Sequence, residues 1–263
     1  MRGGIALASL SLAAVLLGGC ATTSSQQESS KSDSTKRSGI YLDLGVAYLS
    51  QGKPRKALRT LEKARNLHED DARVYNALAL TYESLGFDDK AQGAYEEAVD
   101  LDPKDPEVRN NYGVFLAQMG SYERARKQFE KALADPLYNN PETAYYNLGW
   151  IARRQGDTEE AKGMLRTALR LRSQYPQARL TLVQILQERG ELAQAGKEVA
   201  TLLNRNPENV QGHKLAGEVA LARGQQEAAR EHLRKVVELA PETDAAQRSQ
   251  ALLDQIEPRE GSG

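Results

Sequence analysis

Cysteine is almost absent: Cys20 is the only one in 263 residues, so no intrachain disulfide can staple this chain. Apart from 11 Tyr, aromatics are scarce, with three Phe and one Trp, and only nine prolines interrupt the chain. Neither charge sign is in surplus, since 35 basic residues face 36 acidic ones for a formal net charge of −1. That balance leaves no global field to draw in nucleic acid and excludes a basic-groove nucleic-acid binder. The three histidines, His68, His213 and His232, are scattered. There is no His-Glu-x-x-His pair, no Gly-x-Ser-x-Gly elbow and no Gly-rich phosphate loop. No catalytic residue, metal ligand or small-molecule substrate is expected, and His213 reads as a partly buried neutral imidazole. The acid pairs Glu96-Glu97 and Glu159-Glu160 read as solvated helix faces.

Leu, Ala, Glu, Arg and Gln dominate the body, a helix-forming mixture. Through it runs a metre of glycines: Gly52, Gly86, Gly120, Gly156, Gly190 and Gly224, separated by 34, 34, 36, 34 and 34 residues. Five residues after each stands an alanine: Ala57, Ala91, Ala125, Ala161, Ala195 and Ala229. A glycine can close one helix in the left-handed conformation, and an alanine lets the next helix pack closely, so the chain predicts an array of helix pairs. Asp105-Pro106-Glu107 and Asn140-Pro141-Glu142 each place a capping side chain before a proline at the first helical position. The longer third unit takes its two extra residues in the turn from Ala134 to Pro141.

Aligned on the glycines, the first helices carry Tyr41, Leu44, Gly45 and Tyr48, then Tyr75, Leu78, Ala79 and Tyr82, and so on through six units. Small and large residues recur as in the tetratricopeptide repeat. The expected fold is all-α, a right-handed superhelical solenoid of six helix pairs. A final helix from about Thr243 to Ile256 covers its open end. The repeat domain is placed at residues 39–257 and a disordered tail at 258–263.

The N-terminus is a separate object. Arg2 precedes an apolar run from Ile5 to Leu17, and Leu17-Gly18-Gly19-Cys20 follows. The run is too short for a stable membrane anchor and reads as a secretory signal over residues 1–19. Leu-Gly-Gly-Cys resembles the bacterial lipobox. That resemblance implies diacylglycerol on the Cys20 sulfur and an acyl group on its new amino terminus. It also implies outer-membrane sorting, because Ala21 and not Asp follows. Residues 20–38, rich in Ser, Thr, Gln and Lys, are expected to be the lipidated residue and a disordered tether.

The lipobox and six repeats come with two strings, Asn110-Asn111-Tyr112-Gly113-Val114-Phe115-Leu116 and Asp135-Pro136-Leu137-Tyr138 followed by Ala144-Tyr145-Tyr146-Asn147-Leu148-Gly149. Together they resemble the PilF/PilW family of type IV pilus biogenesis lipoproteins, with which the Tgl lipoprotein of gliding bacteria belongs. The resemblance implies a pilotin-like protein of the outer membrane, facing the periplasm, whose partners are secretin subunits of the pilus and the membrane lipid. An alternative is an outer-membrane adaptor that docks peptidoglycan hydrolases or synthases.

In such repeats the residues one after the packing positions of each first helix line the concave groove. Here they include Leu42 and Val46, Asn76 and Leu80, Asn110 and Val114, then Tyr146, Trp150 and Arg153. Asn76 and Asn110 stand one repeat apart and read either as a ladder for an extended peptide or as solvated polar residues. Trp150 reads either as a partner anchor or as a ring packed under the next repeat. A carboxylate clamp is disfavoured, because Lys is missing from the equivalent places of the first two units.

Overall fold

The computed structural model describes residues 21–256, with side chains described from Lys31 onward. Cys20, the signal segment and the expected tail lie outside the described residues. Among the described residues every regular element is a helix, and their contacts gather them into two compact units. The first unit holds α1 (Ala21–Ser50), α2 (Pro54–Leu67), α3 (Ala72–Ser84) and α4 (Asp88–Leu101). The second holds α5 (Pro106–Gln118), α6 (Tyr122–Leu133), α7 (Pro141–Gln155), α8 (Thr158–Leu171) and α9 (Pro176–Glu188). It continues through α10 (Leu192–Arg205), α11 (Val210–Ala222), α12 (Gln226–Leu239) and α13 (Asp244–Ile256). Each odd-numbered helix from α1 to α11 pairs with the next, and α13 packs on α12.

The turns explain the metre. All six glycines have φ between 67° and 87°, a region that costs a side-chain-bearing residue energy. In each, the amide after the glycine donates to the carbonyl five residues before the glycine's successor, as in Ser121 to Leu116 at 2.8 Å and Glu191 to Leu186 at 2.8 Å. This satisfies carbonyls that the helix end would leave unpaired. The six alanines are fully buried at the helix crossings.

A second size match lies inside each pair. A β-carbon on Gly113 would stand 2.7 Å from Phe129 Cε1, and one on Gly45 would stand 2.5 Å from Leu61. Gly149 and Gly217 meet Leu165 and Leu233 in the same way. Where the first helix carries the larger Val183, the residue at the equivalent place of the second helix is Val199, and both are buried. In the second unit, buried side chains of α7 to α11, among them Leu165, Leu182, Ile185 and Leu215, form one continuous core. Leu253 and Ala246 bury against the last pair, which places α13 as the expected cover.

Several expectations are corrected. The tether of residues 20–38 is helical from Ala21 and continues into α1 without a break, since no Gly or Pro interrupts it before Gly39. Ser38 is buried and donates its hydroxyl to the Ala64 carbonyl at 2.8 Å, so the packed body begins before residue 39. Leu44, placed in the packing stripe, is 41% exposed, because no earlier repeat in this unit covers that side of α1. At α5 the Asp105 carboxylate caps as expected, accepting from Glu107 and Val108 amides at 2.8 and 3.1 Å. The Asn140 side chain does not cap α7 and instead donates to Glu107 Oε1 at 2.8 Å.

Candidate protein-binding face

Within the second unit, neighbouring first helices touch each other, α5 against α7 and α9 against α11. Residues one after the packing positions therefore fall partly between helices and partly on their open face. Val114 and Tyr146 are half-buried, and the Tyr146 ring lies 5.2 Å from that of Tyr175. Burial, with Tyr146 beside it, pushes the Tyr175 phenol up to about 12. Arg153 reaches the following repeat, donating to Gln184 at 2.8 Å and pairing with Glu188 at 2.6 Å.

Trp150 is half-buried with its ring edge-on to Tyr122 at 6.1 Å and an angle of 71°. The Arg154 guanidinium covers its face at 4.9 Å. Its ring thus meets the repeat before it, and the residue stays partly accessible.

Asn110 is 8% exposed, and its amide oxygen has no hydrogen-bond partner among the described residues. A buried acceptor left unpaired costs about 1–3 kcal/mol; covered by its neighbours, Asn110 lies beneath the open face, which corrects its place in the groove. Solvated polar residue is therefore the wrong description of Asn110. In the first unit Leu42 is 7% exposed, which corrects its place in the groove: α1 and α3 close over it. Val46 is 48% exposed, and Asn76 and Leu80 are half-buried.

The lengthened turn is held by its own hydrogen bonds. The Asp135 carboxylate accepts the Leu137 amide at 2.8 Å, and the Tyr138 amide donates to the Asp135 carbonyl at 3.2 Å. Tyr138 is buried beside Thr143, with the two hydroxyls 3.0 Å apart, and burial pushes its phenol up to about 12. With its neighbours fastened, Leu137 stands 82% exposed at the tip. A cleft of about 460 Å³ beside the turn is lined by Pro103, Lys104, Arg109, Lys131 and Pro136.

The apolar stripe gives no hint of a polar latch that recurs in three repeats. The Arg109 guanidinium donates to the Pro103 carbonyl through Nε at 2.7 Å and to Gln128 at 2.8 Å. Arg179 donates to the Ser173 carbonyl at 3.0 Å and pairs with Glu198. His213 bonds the Pro207 carbonyl at 2.8 Å and His232 at 3.1 Å, Nδ1 to Nδ1. Each time the partners stand six residues before and 19 after. A carbonyl only accepts, so His213 donates to Pro207 from Nε2, and one of the two imidazoles donates to the other across the Nδ1 pair. Burial together with the neighbouring His213 holds His232 below its ordinary value. Among the described residues no group of three or more His, Cys, Asp or Glu is arranged to hold a metal ion.

Models of the tetratricopeptide repeat match residues 152–219, 106–174, 42–106 and 213–235. The chain is a tetratricopeptide-repeat protein. No curated protein matches it. Among solved structures it is similar to PilW, described as a widely conserved type IV pilus biogenesis factor, at 27% identity and a TM-score of 0.75. That alignment covers 81% of this chain and 98% of PilW. PilF of Pseudomonas aeruginosa aligns with 24% identity and a TM-score of 0.75, over 84% of this chain and 99% of PilF. YrrB, a repeat protein with an unusual peptide-binding site, aligns with 24% identity and a TM-score of 0.56, over 73% of this chain and 97% of its own. The fold is thus one of protein interaction, and none of the matched repeat models describes a catalytic family.

Proposed function

We propose that this protein is an outer-membrane lipoprotein of the type IV pilus that promotes assembly of the secretin, the pore through which the pilus passes. The likeness to PilW over 98% of that factor's length carries the reading. Cys20, the only cysteine, is the lipid attachment point, and the repeats face the periplasm. Partner binding uses the second unit: Leu137 is an apolar knob on a fastened turn, and the half-buried Trp150 and Tyr146 supply aromatic surface. An extended segment lying along α5 and α7 would bury Leu137.

Deleting the gene tests this. Heat-stable secretin multimers should vanish while monomers persist; normal multimers with altered cell-wall turnover would favour a peptidoglycan-enzyme adaptor instead. Leu137→Asp should lower multimer yield about tenfold or more with the helical circular dichroism unchanged. Cys20→Ser should abolish palmitate labelling and release the protein from the membrane.

A further inference from the structure

The first unit separates its charge by repeat. From Lys31 to His68 there are nine Lys and Arg against three acids, Asp33, Asp43 and Glu62, a net charge of +6. From Glu69 to Leu101 there are nine acids against two cations, Arg73 and Lys90, a net charge of −7. The near-zero total of the chain hides this, because the two excesses cancel.

The basic repeat also ends the unit with an uncovered apolar stripe. Ile40 is 64% and Leu44 is 41% exposed, four residues apart on one face of α1, with Lys36 and Arg37 one turn earlier. Tyr41 and Tyr48 border that stripe, and α2 sets Lys63 and Lys56 over their rings at 5.8 and 5.9 Å. Lys36, Arg37, Lys56 and Lys63 are all exposed. Two apolar side chains thus stand among four cations, with the exposed Asp43, three residues after Ile40, at the edge of the same stripe. Of the three acids, Asp33 and Asp43 are exposed on α1 and Glu62 is half-buried on α2.

We propose that this face of the first repeat lies on an anionic phospholipid surface, with Ile40 and Leu44 at the headgroup boundary and the four cations against lipid phosphates. The inference rests on the reading above that Cys20 is acylated. Such an anchor holds the chain at a membrane one residue before α1 begins, which favours lipid over an acidic protein segment as the anion. Acyl chains and a basic, partly apolar patch are the two kinds of signal that together make peripheral attachment lasting.

The test uses the chain from Ala21 onward. It lacks Cys20, and it retains every buried residue described, from Ser38 to Leu253, so it folds without the leader. Sedimentation with vesicles in which about one lipid in three is phosphatidylglycerol should show binding at least about tenfold above that to phosphatidylcholine alone. The excess should disappear at about 0.5 M salt. Reversing Lys36, Arg37, Lys56 and Lys63 to Glu should remove it, as should Ile40→Ser with Leu44→Ser at unchanged charge. Reversing Lys127 and Arg170, exposed in the second unit, should leave it intact. If the fourfold reversal lowers the helical signal, the fourfold change to Gln is read in its place. Equal binding to both vesicles, or binding indifferent to the four cations, overturns the proposal. So does capture of polyglutamate by the same cations without capture of vesicles, which would assign the face to an acidic protein. Acylation plays no part in this measurement, so its outcome and that of Cys20 labelling are separate.

Discussion

His213 holds the Pro207 carbonyl where Arg109 and Arg179 hold those of Pro103 and Ser173, and its partner His232 makes this one repeat sensitive to pH. Burial favours the neutral form of His232 in the folded state, so below the ordinary value of 6.5 the unfolded chain binds the extra proton more readily. The sign follows: stability falls as pH drops from 6.5 through the lower folded value and levels off beneath it. His232→Asn should abolish that portion of the loss, seen as wild-type and variant melting temperatures that converge between about pH 7.5 and 5. In the arginine repeats no such loss is expected. Arg109→Leu leaves the Pro103 carbonyl and Gln128 without their partner and should cost about 1–2 kcal/mol by urea unfolding at any pH near neutrality. Both members of each latch stand in the sequence at fixed spacing. A search for apolar periodicity passes over Arg109 and Arg179, since only folding shows that their partners are a turn carbonyl and the paired helix.

At the scale of the helix pair, the decisive quantity is how near two backbones come. Gly113→Ala would drive a methyl group into the Phe129 ring, 2.7 Å away, and should destabilise the protein by about 1–3 kcal/mol in chemical denaturation. The double change with Phe129→Leu should recover part of the loss, because the facing side chain is then smaller. These partners were legible from the repeat: the glycine metre and the alanines predict the crossings, and the described helices follow them. Exposure was less legible. Leu42 and Leu44 differ by two residues in a helix and lie on different faces, and which one is covered depends on neighbours. In an interior repeat a preceding pair would cover Leu44, while α3 covers Leu42 from the other side. Repeat register alone treats the first repeat like the rest and so misplaces Leu44.

At the scale of the molecule, the second unit carries its own continuous core and ends in α13, whereas the first ends in exposed Ile40 and Leu44. Contacts in an array of this kind run mainly between neighbours, so a part with enough pairs and a cover folds alone. Residues 102–263 expressed by themselves should therefore keep a helical spectrum and melt cooperatively in calorimetry. A broad, non-cooperative loss of signal would show that this unit depends on the first.

By itself the sequence determined the period, the turns, the six helix pairs and the covering helix. These depend on local backbone preference and on small residues at fixed spacing, which a linear pattern records. Only the tertiary structure decided that Asn110 is buried with an unpaired oxygen, that Leu137 stands free on a fastened turn, and that Trp150 leans toward Tyr122. Those are properties of what surrounds a side chain, and the surroundings come from residues far away along the chain.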